Sequence, residues 1–123
     1  MTATAPPIPG QSSPAGLPLV TACCSPVIGS VITPAVAESV ANRFKALGDP
    51  ARLRLVSLVA AHEGREACVC ELTEPVRLSQ PTVSHHLKIL VEAGILAREQ
   101  RGKWAYYRLV PDALAELARL ITP

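Results

Sequence analysis

Apolar residues recur at helical spacing along most of the chain after residue 33, and change to a strand-like pattern only once. Val36, Val40, Phe44 and Leu47 stand three or four apart. This predicts a helix that Thr33-Pro34 opens as cap and first-turn proline and that Gly48 closes. Asp49-Pro50 repeats the signal, and a second helix is expected to carry Leu53, Val56, Val59 and Ala60 inward before Gly64. A short third helix, Val69 to Val76, would bury Leu72 and Val76. Ser79 caps a fourth, with Pro81 tolerated in a first turn whose N–H groups lack intrahelical partners. Its inner face holds Val83, Leu87, Leu90, Val91 and Gly94, while Ile89 points outward without an evident role. Two β-type runs, Ile95–Gln100 and Trp104–Leu109, flank Arg101-Gly102-Lys103 as a hairpin, with Tyr107 and Leu109 inward and Trp104 and the tyrosines packing it. Pro111 opens a last helix with Leu114, Leu117 and Ile121 on one side. The fold class is mainly α with a β-hairpin.

Residues 1–32 show no period, seven of the 12 prolines fall within residues 1–34, and no charged residue precedes Glu38. The chain therefore divides into a flexible arm, 1–32, and a folded unit, 33–123. A length of 123 residues allows one compact core, and one Phe, one Trp and two Tyr make that core aliphatic. No apolar run reaches the roughly 18–20 residues that span a bilayer. Cys23, Cys24, Cys68 and Cys70 form two close pairs rather than a spread disulfide framework, which suits a reducing cytosol and soft-ion chemistry. Val20-Thr21-Ala22-Cys23 has the form of a lipoprotein processing box, but it lacks a basic leader, and Pro14 and Pro18 break the apolar helix export needs. A cytoplasmic protein is expected.

A short helix, a few turn residues and a capped helix with a polar outer face form a helix-turn-helix pattern. With Leu87 inward, Thr82, His85 and Lys88 fall on the outer half of the fourth helix, Ser84 on its flank, and Ser79 and Gln80 at its N-terminal end. Gln pairs with adenine, Ser and His bond base edges, Thr offers a methyl to thymine, and Lys reaches phosphate. The hairpin adds Arg98, Arg101, Lys103 and Arg108. From Ser79 to Arg108 five Lys/Arg face two Glu, a net of +3, although the whole chain carries only +2. Basic charge is thus concentrated where DNA would lie.

The chain closely resembles the ArsR/SmtB family of winged-helix metalloregulators over roughly residues 38–121. The resemblance is carried by Phe44-Lys45-Ala46-Leu47-Gly48-Asp49-Pro50-Ala51-Arg52-Leu53, by Cys68-Val69-Cys70-Glu71-Leu72, and by Leu78-Ser79-Gln80-Pro81-Thr82-Val83-Ser84-His85-His86-Leu87. The wing Arg101-Gly102-Lys103-Trp104 with Tyr106-Tyr107-Arg108-Leu109 completes it. It implies a winged helix-turn-helix homodimer built on the first and last helices, through Val36, Val40, Leu114, Leu117 and Ile121. Such a dimer binds an inverted-repeat operator as a repressor and is released by a metal or metalloid. The family's zinc site on the last helix is absent, because Asp112 to Arg119 contains no histidine. Its Cys-x-Cys motif matches Cys68 and Cys70, and implies As(III) or Sb(III).

Two residues apart in a helix point about 200° away from each other, so Cys68 and Cys70 share an ion only if the helix start unwinds or Cys68 precedes it. As(III) takes three thiolates, and Leu72 stands where the family has a further cysteine. The expectation is that the arm folds back and closes the site with Cys23 or Cys24. Cd(II), Pb(II) or Zn(II) held by all four cysteines is an alternative, as is a thiol-redox regulator. A thiol-rich metal-binding or interaction module without DNA binding is the alternative from another class. His62 is expected in a solvated loop, and His85 and His86 on the DNA face without metal spacing. No catalytic set, phosphate loop or cofactor motif is present, so an enzyme is not expected.

Overall fold

A computed structural model describes Val27 and residues 29–123. Helix α1 spans Pro34–Leu47, α2 Pro50–Ala61, α3 Val69–Val76, α4 Gln80–Glu92 and α5 Ala113–Leu120. Strands β1 (Glu66–Cys68), β2 (Leu96–Arg101) and β3 (Trp104–Leu109) form one antiparallel sheet in the order β1-β3-β2. The caps follow from side-chain chemistry. Thr33 Oγ1 accepts from Val36 N at 3.2 Å, and Asp49 Oδ2 accepts from Ala51 N and Arg52 N at 3.0 and 3.2 Å, with prolines filling both first turns. The Asp49 carboxyl lies below its ordinary value because Arg52 N donates to it, and the Arg52 charge acts the same way.

The hairpin closes tightly. Arg101 pairs with Trp104 across β2 and β3, which leaves Gly102-Lys103 as the turn. Gly102 has a φ of 64°, where a Cβ would be strained. The third strand, β1, was not expected. Three residues are too few for a period, and their partner is β3, with Glu66 opposite Arg108 and Cys68 opposite Tyr106.

The main core joins α2, α3, α4 and the sheet around Leu55, Val59, Leu72, Val83, Leu87 and Leu90, all wholly buried. Leu53 is 55 % exposed and Ala60 is also exposed, contrary to expectation. Helix α2 is apolar on several sides, and Leu55, Val56 and Val59 form the inner face, leaving Leu53 about 200° from Leu55. Ile89 is half-buried against this core, which accounts for its apolar character. A second cluster holds Val40, Leu117 and Leu120, with Val36 and Phe44 packed on it, and fastens α5 to α1. On α5 the inward residues are Ala113, Leu117 and Leu120, and the helix starts at Ala113 rather than Pro111. Leu114 and Ile121 turn outward, 37 % and 48 % exposed, instead of sharing the Leu117 face. Arg43, buried between these helices, donates from Nη1 to Glu116 Oε1 at 3.3 Å.

Candidate nucleic-acid interface and thiol site

Arg77 ends α3 in the left-handed region at φ 58°, and the chain turns through Leu78 into α4. Ser79 caps α4. Its Oγ accepts from Thr82 N at 3.4 Å and lies 2.9 Å from Thr82 Oγ1, so Ser79 and Thr82 are joined before anything else reaches them. With Val83, Leu87 and Leu90 locked inward, Gln80, Thr82, His85 and Lys88 are exposed and Ser84 is half-buried. His86 departs from the expected DNA face. It is half-buried and its Nδ1 accepts from Arg52 Nη1 at 3.1 Å. Arg52 also donates from Nε to Ala46 O at 2.7 Å, and so ties the end of α1 to the middle of α4. His62 is likewise engaged, its Nδ1 meeting Leu58 O at 2.8 Å at the end of α2, rather than free in a loop.

The hairpin stands beside α4 and encloses with it a cleft of about 360 Å³, lined by Gln80 and Ser84 from the helix and Arg98, Lys103 and Trp104 from the wing. Trp104 is 48 % exposed and does not pack the hairpin as expected. It is the β2-paired residue next to the turn, too near the tip for the core to cover. Arg98 donates to Gln100 Oε1 at 2.6 Å. Arg101 is engaged within the protein. Its guanidinium donates to both carboxylate oxygens of Glu66 and to Glu99, each at 2.9 Å, and lies 4.4 Å from the centre of the Tyr106 ring. Its proton is held more firmly than usual by Glu66 first and Glu99 second, and Glu66 is correspondingly held below the ordinary carboxylate range.

The cysteines of the folded unit meet. Cys68 ends β1 and is the N-cap of α3, so it lies before the first turn, and the opposed directions of a continuous helix do not arise. Its Sγ accepts from Cys70 N at 3.1 Å, and the two sulfurs are joined as a disulfide across a Cα–Cα separation of 5.2 Å. Glu71 Oε1 accepts from Cys68 N at 2.8 Å, completing a capping box in which a sulfur takes the usual place of a hydroxyl. Cys68 is buried and Cys70 exposed, so the pair opens to solvent on one side. Cys23 and Cys24 lie outside the described residues, as does the expected arm apart from Val27 and residues 29–32. Among the described residues no three His, Cys, Asp or Glu side chains converge to hold a metal ion. Once reduced, the pair offers two sulfur donors of the soft type As(III) takes.

Residues 49–98 match the model of the bacterial regulatory protein, arsR family. An uncharacterized HTH-type transcriptional regulator of Methanocaldococcus jannaschii is 42 % identical over 84 residues, 68 % of this chain and 92 % of that one. The arsenical resistance operon repressor of Escherichia coli is 44 % identical over 78 residues, 63 % of this chain, and the chain spans 65 % of that repressor's length. Among solved structures, the AntR antimony-specific transcriptional repressor superposes with a TM-score of 0.61 at 33 % identity, covering 77 % of this chain and 86 % of that one.

Proposed function

This chain belongs to the arsR family of bacterial regulatory proteins, winged helix-turn-helix transcriptional regulators rather than enzymes, and from that premise we propose that it is a metalloid-released repressor. In this reading a homodimer grips an inverted-repeat operator, and As(III) or Sb(III) bound to cysteine thiolates loosens it. The carrying observation is the convergence of Cys68 and Cys70 at the first turn of the helix that packs on the recognition helix. The arsenical and antimony repressors to which the chain is similar support the choice of ion. Cys23 or Cys24 completes a three-sulfur site from the arm. Gln80, Ser84, His85 and Lys88 meet the major groove, with Ser79 and Thr82 at the helix start and Arg98, Arg101 and Lys103 on the backbone. Leu114 and Ile121, exposed on α5, supply the apolar surface of the dimer.

Release requires the ion to favour a form that binds DNA less well, a coupling of order 1–3 kcal/mol. The test is an operator-binding titration of the reduced protein with arsenite, antimonite, cadmium, lead and zinc. Release at the lowest concentrations by arsenite and antimonite, lost in C68S/C70S, is expected; release by none of them overturns the reading. The disulfide between Cys68 and Cys70 favours one second reading, thiol-redox control. There two thiols give two electrons and two protons to a peroxide, forming the S–S bond as the O–O bond breaks to give two waters from hydrogen peroxide, or an alcohol and a water from an organic peroxide. Peroxide releasing operator where arsenite does not selects it.

A further inference from the structure

The strand that ends in Cys68 begins with Glu66, and Glu66 holds the wing. Both its carboxylate oxygens accept from Arg101 at 2.9 Å, at the last residue of β2 before the turn. Within the same strand Cys68 stands opposite Tyr106, and the Tyr106 ring carries the Arg101 guanidinium at 4.4 Å. The two ends of a three-residue strand thus bear on one guanidinium, one through an ion pair and one through the residue beneath it. A bidentate carboxylate–guanidinium pair transmits both position and orientation, which a single contact does not. Sequence spacing hides the link, because 35 residues separate Glu66 from Arg101.

We propose that the Glu66–Arg101 pair is the mechanical link between the thiol site and the wing, with Glu66 a positioning residue. A change in the Cys68–Cys70 cap displaces β1, and Glu66 carries the displacement to Arg101, and so to Lys103 and Trp104 at the tip. This rests on the metalloid-sensing function proposed above.

The chain has a single tryptophan, Trp104, paired with Arg101 across the hairpin, so its fluorescence reports the wing alone. The experiment titrates reduced full-length protein with arsenite, following sulfur–arsenic absorbance and Trp104 emission together, in wild type, E66Q, R101Q and E66Q/R101Q. Operator affinity is measured with and without saturating arsenite. In wild type both signals are expected to change at one midpoint. In E66Q the absorbance titration is retained, the Trp104 change is lost, and the factor by which arsenite weakens operator binding falls about tenfold or more. R101Q gives the same loss, and the double variant gives no further loss, as two halves of one link must. An E66Q protein whose Trp104 response and arsenite factor equal those of wild type overturns the link and leaves the proposed function standing. Wild-type protein that takes up no arsenite overturns the function, and the link with it.

Discussion

The two helices of the helix-turn-helix begin with the same backbone geometry and opposite chemistry. At the start of α4, Ser79 offers a hydroxyl, among the better N-cap acceptors. At the start of α3, Cys68 offers a sulfur, a weak acceptor, and the backbone there relies on Glu71 for its charged hydrogen bond. The reading helix is thus fastened by an atom whose natural partner is an N–H, and the sensing helix by an atom whose natural partner is a soft ion. On the proposed function, a ligand that takes the cap from the helix would make the start of α3 the end that yields, while α4 would keep its shape on DNA.

The largest expected effect falls on that difference. C68S/C70S should lose at least about 100-fold in arsenite affinity, measured by operator release, while operator affinity without arsenite stays near wild type, because neither sulfur supports α4. Next comes the reader: Q80A should relax base discrimination by about 1–3 kcal/mol at one operator position, whereas K88A weakens all sequences alike and lowers the salt slope by about one. The caps themselves come third. S79A should lower the unfolding free energy by about 1 kcal/mol in urea titration, and C68A in the reduced protein should lose less than half of that through its cap. Equal losses in the two variants would erase the contrast. The smallest effect is acid sensitivity. Glu66 and Asp49 titrate below their ordinary values in the folded protein, so their stabilisation is complete above those values. It is lost as pH falls through the depressed ones, in the range below about pH 4.5. Acid unfolding followed by circular dichroism should therefore be shallower in E66Q.

The helices and the hairpin were legible in the sequence because caps, prolines and apolar spacing agree for each of them, as at Thr33-Pro34, Asp49-Pro50 and Ser79. Helix α2 was placed correctly and turned wrongly, since Leu53, Leu55, Val56, Leu58 and Val59 offer more apolar faces than one helix buries. Strand β1 was invisible, because a three-residue strand exists only through its partner. In the candidate site, the cysteine pair could be named but its geometry could not. That Cys68 precedes the first turn depends on β1, and β1 depends on β3. Long-range pairs were lost for the same reason: nothing local ties Glu66 to Arg101 or Arg52 to His86. Trp104 misled by type, since an aromatic in a strand is usually packed, and here its place next to the turn leaves it at the tip.

On the proposed function, one protein cannot hold operator and metalloid equally well at the same time. Arsenite affinity of the reduced wild-type protein, titrated by sulfur–arsenic absorbance with and without saturating operator duplex, tests it directly. Operator should weaken arsenite binding by the same factor by which arsenite weakens operator binding, as linkage demands. Identical arsenite affinity in the two titrations would contradict the account.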